Sequence, residues 1–365
     1  MTRSIAPADF EPRQWNDWRW QLRQLRRTAA EIGDATALTT DDAALIASGR
    51  GFEVGVTPYF ASLFDPNDAM CPLRRQVVPS AAEADRAEFE KSDPLGEDAH
   101  LQMPGLVHKY PDRALLLVTD RCASYCRYCT RSRWVAGDSP GLGGDDLDAA
   151  IAYIAATPAI VDVLVSGGDP LLLSNRKLAE VLDRLSAIDH LRLIRIGTRV
   201  PVFLPMRIDD ALAEVLRPRG KAIFVNVHIN HARELAPDVV AALARIADVG
   251  VGLGGQTVLL RGVNDDIETL RATMLAMLAA RVRPYYLFHC DPVVGTSHLR
   301  VPIARGLALM AGLIGHTTGM AVPKYVIDLD GAGKVPLWPD YVERIEAQTW
   351  MVRGYKGEVQ PYPAG

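Results

Sequence analysis

From about residue 113 the chain alternates short apolar runs with longer amphipathic ones. The short runs are RALLLVTD (113–120), VDVLVSGG (161–168), LRLIRIGT (191–198), AIFVNVHI (222–229), GLGGQTVLL (252–260) and RPYYLFHC (283–290). Their length, their β-branched and aromatic residues, and the glycine, proline and aspartate around them predict strands. Between them, DLDAAIAYIAA, RKLAEVLDRLSAI, DDALAEVLR, PDVVAALARIADV and DIETLRATMLAMLAARV repeat apolar residues at helical spacing, and PIARGLALMAGLIG follows the last strand. Six strand–helix units in succession predict a parallel sheet with right-handed crossovers. Periodicity alone does not separate a doubly wound sheet from a barrel.

Polar residues decide between them. Each run ends in something chemical: a cysteine loop, SGGD, GTR, HINH, QT followed by RGVND, and HCD. A doubly wound sheet gathers such groups at one switch point, whereas a barrel collects them from every strand end. The expected fold is α/β, a partial (β/α)6 barrel over residues 106–320. A mostly helical extension is expected over 1–105, with one helix across 12–33 that carries Trp15, Trp18, Leu22, Leu25 and Ala29. Its arginines, Arg19, Arg23, Arg26 and Arg27, form a solvated or packing face. A C-terminal segment covers 321–365.

Composition narrows the class. The 365 residues are 48% hydrophobic and 23% charged, as in globular proteins. A net charge of −4 with no basic tract argues against a nucleic-acid binder. No apolar run reaches membrane-spanning length, and the first residues lack the apolar stretch of a signal peptide. Five cysteines without secretory features suit a reducing cytoplasm.

Three of those five stand within eight residues, Cys122, Cys126 and Cys129 in RCASYCRYCTR. Three thiolates hold three irons of a cubane and leave the fourth open to a ligand, whereas closed ferredoxin and zinc sites take four. CxxxCxxC after a strand is therefore the pattern of enzymes that cleave S-adenosylmethionine to a radical. A three-cysteine zinc site in a non-catalytic module is the competing reading, without a nearby CxxC or HxxxH partner. Cys71 and Cys290 read as core thiols.

Other constellations are weaker alone. Ser166, Gly167, Gly168 and Asp169 could grip the methionine part of that ligand or form a tight turn capped by Asp169. Arg199 could meet its carboxylate and His228 could hydrogen-bond it, with structural roles close behind. Lys109, Tyr110 and Arg113, near the barrel mouth, suit a phosphate or a strand-initiating turn. Lys334 in GAGK is a surface lysine or a Schiff-base amine, with Lys324 as its rival; the P-loop spacing is absent. Asp291, Asp328 and Asp330 suit a substrate ammonium or turn formation.

The chain resembles lysine 2,3-aminomutase and its relatives. The resemblance runs from WNDWRWQLR through DPNDAMCPLRRQ, PGLVHKYPDRALLLVTDRCASYCRYCTR, LVSGGDPLL, HINHARE, QTVLLRGVND and RPYYLFHCD to GHTTGMAVPKYVIDLDGAGKVP, most of the chain. It implies a 4Fe-4S cluster on the three cysteines, S-adenosylmethionine, and pyridoxal 5′-phosphate carried by Lys334. The implied phosphate contacts are Lys109, Tyr110 and Arg113, with Gln256 near the cofactor ring. Arg131 matches the partner of the substrate α-carboxylate, and Asp291 and Asp328 match the pair that binds the distal ammonium of lysine. The aspartate-to-lysine loop is one residue shorter than the family's and has alanine for one glycine, which leaves Asp330 as the alternative second aspartate. YKGEVQPYPAG brings no C-terminal cysteine cluster, so the zinc of clostridial-type relatives is not expected.

The implied activity is conversion of L-lysine to β-lysine. Rivals are another basic amino acid, above all arginine, and a β-lysine-forming enzyme for elongation factor P modification. The expected partners are the amino acid, an electron donor such as flavodoxin or ferredoxin, and further copies of the chain in a homo-oligomer.

Overall fold

The computed structural model describes residues 10–49, 51–135, 144–346 and 349–363. The single helix expected across 12–33 is three short ones, α1 (Pro12–Trp15), α2 (Trp18–Arg23) and α3 (Ala29–Gly33). The breaks have local causes. Asp17 accepts the Arg19 amide and starts α2, the Arg26 backbone pairs with Val56, and a Thr28–Glu31 capping box opens α3. Trp15, Trp20, Leu25 and Ile32 are buried, while Trp18 and Leu22 are only half-buried. Helices α4 (Thr40–Ser48) and α5 (Pro58–Ala61) complete this layer.

A hairpin of β1 (Leu101–Met103) and β2 (Leu106–Tyr110) then runs antiparallel into β3 (Arg113–Thr119). Strands β4 (Asp162–Gly167), β5 (Leu193–Thr198), β6 (Ala222–His228), β7 (Gly252–Leu259) and β8 (Arg283–His289) follow in parallel, each beside its predecessor. All six strands that the pattern predicts are present. The intervening helices are α6 (Gly144–Ala155), α7 (Asn175–Ser186), α8 (Val200–Phe203), α9 (Asp210–Leu216), α10 (Pro237–Asp248), α11 (Ile267–Ala279) and α12 (Ile303–Leu313). In α7, Leu178, Val181, Leu182 and Leu185 fall at helical spacing and are all buried.

The sheet exceeds expectation. β9 (Lys324–Leu329) adds a seventh parallel strand, and β10 (Gly333–Pro336) turns back antiparallel to it. The proline and glycine around KYVID masked this strand in the pattern, but Tyr325 and Val326 are buried against the helices. A separate sheet of β11 (Val342–Glu346), β12 (Thr349–Arg353) and β13 (Val359–Pro363) follows. Among the described residues no helix is long and apolar enough to cross a membrane.

Strand alternation builds two faces. Ala114, Leu116, Val163, Val165, Ile194 and Ile196 are buried. Their neighbours Arg113, Leu115, Asp162, Leu164, Leu193 and Arg195 line a cavity of about 570 Å³. Residues from every strand between β2 and β10 line that cavity, so the ten-stranded sheet curls into a partial barrel. Its edges do not share a ladder. Side chains bridge them instead: Tyr110 Oη accepts the Lys334 amide at 3.0 Å, and Lys109 Nζ lies 3.4 Å from Asp328 Oδ1.

Leu178→Ala should cost about 2–5 kcal/mol in denaturant unfolding, because the buried site cannot refill. Leu275→Ala, at a position 41% exposed, should stay within about 0.5 kcal/mol of the parent.

Candidate active site

The cysteine loop leaves the C-terminal end of β3, and Cys122, Cys126 and Cys129 all line the cavity. The N-terminal layer holds one side of the loop. Ser124 Oγ and the Tyr125 amide both donate to the Gly55 carbonyl, at 2.8 and 3.1 Å, and the Arg127 amide donates to the Gln76 carbonyl. The buried Arg127 guanidinium forks onto Glu83 at 2.6 and 2.8 Å.

The turn after β4 holds the other side. The Gly168 amide donates to the Thr119 carbonyl at 2.6 Å and the Asp169 amide to the Arg121 carbonyl at 2.7 Å. A Cβ on Gly167 or Gly168 would stand 2.2 Å from one of those carbonyl oxygens. These glycines thus admit a neighbouring backbone, not only a ligand as the sequence suggested.

Asp169 is equally committed. Its carboxylate accepts Thr198 Oγ1 at 2.6 Å and the amides of Arg199, Val200 and Leu171 at 2.7, 3.0 and 3.1 Å. It locks the β4 turn to the end of β5, and a ligand ammonium would have to compete with four donors. Arg199, 5% exposed, gives Nη1 to Cys126 Sγ at 3.0 Å and to Tyr128 Oη at 2.7 Å. Its Nε is itself buried and has no hydrogen-bond partner among the described residues. His228 faces Asn230 Oδ1 at 3.2 Å. Burial and the Arg199 charge push its pKa down to about 3, which keeps the imidazole neutral. Ser166 also lines the cavity.

Lys334 and Asp328 are direct cross-strand partners on β10 and β9, with Lys334 Nζ 2.5 Å from Asp328 Oδ2. Gly333, at φ +76°, makes the turn. A Cβ there would meet the Tyr110 hydroxyl at 2.7 Å. Asp330 lies in the same turn but points outward, half-exposed, and pairs with Lys91 at 2.9 Å. Lys324 is exposed at the start of β9. Of the two candidate lysines Lys334 lines the cavity, and of the two candidate aspartates Asp328 does.

Asp291 lines the same region. Burial first, then the neighbouring Asp328 carboxylate, push its pKa up to about 7 against the pull of Lys334 and Arg300. Gln256, from the middle of β7, lines the wall between Lys334 and the cysteine end.

Lys109, Tyr110 and Arg113 all line the cavity. They sit on the β2–β3 turn, at the N-terminal end of β3, and the cysteine loop leaves the other end. Seven residues of strand separate the two ends, roughly 23 Å at about 3.3 Å per residue. Both cations lie over the Tyr110 ring, the Lys109 ammonium 6.0 Å from its centre. Lys109 Nζ turns to the Leu95 carbonyl at 2.7 Å and towards Asp328, while the Arg113 guanidinium stacks 3.8 Å over the Tyr110 ring.

Two groups escaped the sequence reading. Arg195 lines the same wall as Arg113 and forks onto Asp162 at 2.9 and 2.7 Å. The alternating charges of RLIRIG were its only signal. Glu97, 5% exposed, takes the Nε–Nη2 edge of Arg131 at 3.1 and 2.6 Å, which leaves the Nη1 side of the guanidinium open. No motif marks Glu97, which a long-range ion pair brings to the site.

The residues suit the groups that the sequence implies. Burial and mutual repulsion of the sulfurs push the Cys129 thiol up to about 11 and raise Cys122 well above its ordinary range, a penalty that a cationic iron centre relieves. At the other end an amine, a phenol and the guanidiniums of Arg113 and Arg195 line one wall, the donor set for an aldehyde that carries a phosphate.

Comparison with known proteins identifies the family. The lysine-2,3-aminomutase family model matches residues 310–365, and the radical SAM superfamily model matches residues 116–273. The L-lysine 2,3-aminomutase of Fusobacterium nucleatum is 40% identical over 363 residues, 99% of this chain and 85% of that protein. That of Bacillus subtilis is 42% identical over 357 residues, 97% of this chain and 76% of that protein. The glutamate 2,3-aminomutase of Clostridioides difficile is 35% identical over 347 residues, 94% and 82% of the two chains.

Asp291 yields a pH signature. The folded chain keeps its proton up to about pH 7, whereas an unfolded aspartate releases it near 3.9. Stability from this group is therefore full below about pH 4 and is lost as pH rises through 7. Asp291→Asn should match the parent near pH 4 and exceed it by a growing margin up to about pH 7 in denaturant unfolding. Parallel pH curves for the two proteins would contradict the buried carboxylate.

Proposed function

We propose that this chain, which belongs to the lysine 2,3-aminomutase family of radical S-adenosylmethionine isomerases, moves the α-amino group of L-lysine to carbon 3, giving β-lysine. The observation that carries the choice of substrate is the pair Asp291 and Asp328 on one cavity wall beside Lys334. Asp328 already holds a primary ammonium, that of Lys334, at 2.5 Å. A carboxylate pair suits the distal ammonium of lysine and repels the side chain of glutamate. The same pair suits a guanidinium, so arginine is the second reading.

When bound, the cluster with S-adenosylmethionine supplies a radical that abstracts hydrogen, and pyridoxal phosphate, whose dependence is part of this proposal, supplies an imine through which nitrogen migrates. The chain's own residues do the holding. Cys122, Cys126 and Cys129 carry the cluster, with the backbone of Ser166 to Gly168 around the ligand at that end, Arg199 on the Cys126 sulfur, and a neutral His228 whose Nε2 faces Asn230 and whose Nδ1 can accept. Lys334 anchors the aldehyde, and Gln256, Tyr110, Arg113 and Arg195 line the wall for its ring and phosphate. Lys109 serves this group at one remove, by sharing Asp328. Arg131 offers its open edge to the substrate α-carboxylate while Glu97 fixes its other edge. Two anchors, Arg131 for one end of a short substrate and the aspartate pair for the other, orient it. The electron comes from a small iron–sulfur or flavin carrier such as ferredoxin or flavodoxin.

Anaerobic turnover with lysine, arginine, ornithine and glutamate, run side by side, tests the assignment. The expected order is lysine first and glutamate undetectable. Asp328→Asn should raise KM for lysine about tenfold or more, since one charge-assisted hydrogen bond is worth roughly 1.5–3 kcal/mol. Turnover of glutamate ahead of lysine would overturn the reading. Borohydride trapping followed by peptide mapping should label Lys334 and leave Lys324 unmodified.

A further inference from the structure

Behind the cysteine loop, Arg199 belongs to a buried polar network whose other members none of the steps above uses. Arg199 Nη2 reaches Glu234 Oε2 at 3.2 Å and also donates to Gln76 Oε1. Glu234 is 0% exposed, and its other oxygen accepts Gln76 Nε2 at 2.8 Å and the Asn230 amide at 3.3 Å. Asn230 Nδ2 donates to Gln76 Oε1 at 2.9 Å and to Tyr128 Oη at 2.6 Å. Phe203 closes the face of the guanidinium, 4.3 Å away. One cation and one anion are thus sealed from water, and the cation's remaining arm rests on Cys126 Sγ at 3.0 Å.

We propose that the Arg199–Glu234 pair, held by Gln76, sets the reduction potential of the cluster bound through Cys126. A charged donor on a ligand sulfur stabilises negative charge there, and more so after the cluster gains an electron. Glu234 opposes that effect by neutralising part of the guanidinium charge. Burial makes both effects larger than they would be at a surface. Neither residue touches the reacting atoms, so both are positioning residues. Gln76 belongs to the N-terminal layer, which makes that layer part of the redox centre.

The inference rests on the reading of the three cysteines as cluster ligands, and the test separates the two. The full-length parent, Glu234→Gln and Arg199→Met are reconstituted anaerobically with iron and sulfide. Iron content and the electron paramagnetic resonance signal of the reduced protein report the cluster, and a redox titration followed by that signal reports its midpoint. Both substitutions keep a side chain of similar length, and each removes one of the two buried charges. Glu234→Gln leaves the cation uncompensated and should raise the midpoint; Arg199→Met removes the charged donor on Cys126 and should lower it. Each shift should be about tenfold in the one-electron equilibrium, about 59 mV. Equal midpoints at full iron content, or the reverse order, overturn the proposal. So does loss of iron from the variants alone, because the pair would then serve assembly. Failure of the parent itself to bind a cluster overturns the cysteine reading as well.

Discussion

The site depends on one contact between two stretches of backbone. The turn after β4 donates its Gly168 and Asp169 amides to carbonyls at the start of the cysteine loop, and a Cβ there has no room. That contact fixes where the loop leaves β3, and so where three sulfurs enter the cavity. Asp169 carries the same constraint one strand further, by accepting the amides that open the turn after β5. The arrangement is built from main-chain groups and one carboxylate, with little side-chain freedom to lose. A rigid frame of that kind suits a centre that has to hold a reactive species in place.

Much of this was legible in the sequence, because local patterns carry local structure. Period-two strands and amphipathic helices appear in the alternation of apolar residues, and all six expected strands exist. β9 was not legible, since glycine and proline crowd its flanks and only packing declares it. The long helix of 12–33 failed for the converse reason: its apolar residues have helical spacing, but Asp17 and Thr28 cap new helices within it. Among candidate site residues, the cysteines announce themselves by spacing. Choosing Asp328 over Asp330 required the hairpin register, which puts Lys334 opposite Asp328 and turns Asp330 outward. Glu97 and Arg195 were invisible because their meaning lies in partners distant in the chain or across a strand.

The cavity separates its chemistry along the strands. Sulfur ligands and the buried Arg199 network occupy the C-terminal strand ends, whereas Arg113, Arg195 and Tyr110 stand at the other. Asp291, just past the C-terminal end of β8, and Asp328 line the cavity with Lys334. Burial, and then the second carboxylate beside it, raise the Asp291 pKa, a cost that a cation on the pair lessens. Affinity for a positive group and instability without one are the same fact viewed from two sides.

The unjoined edges of the sheet have a last implication. Where a closed barrel would have a ladder of amides, this one has a clasp made of Tyr110, Lys334, Lys109 and Asp328. Those are the groups that also surround the anchoring amine. Fastening the wall and filling it are therefore a single equilibrium, and whatever occupies the interior also stiffens the container.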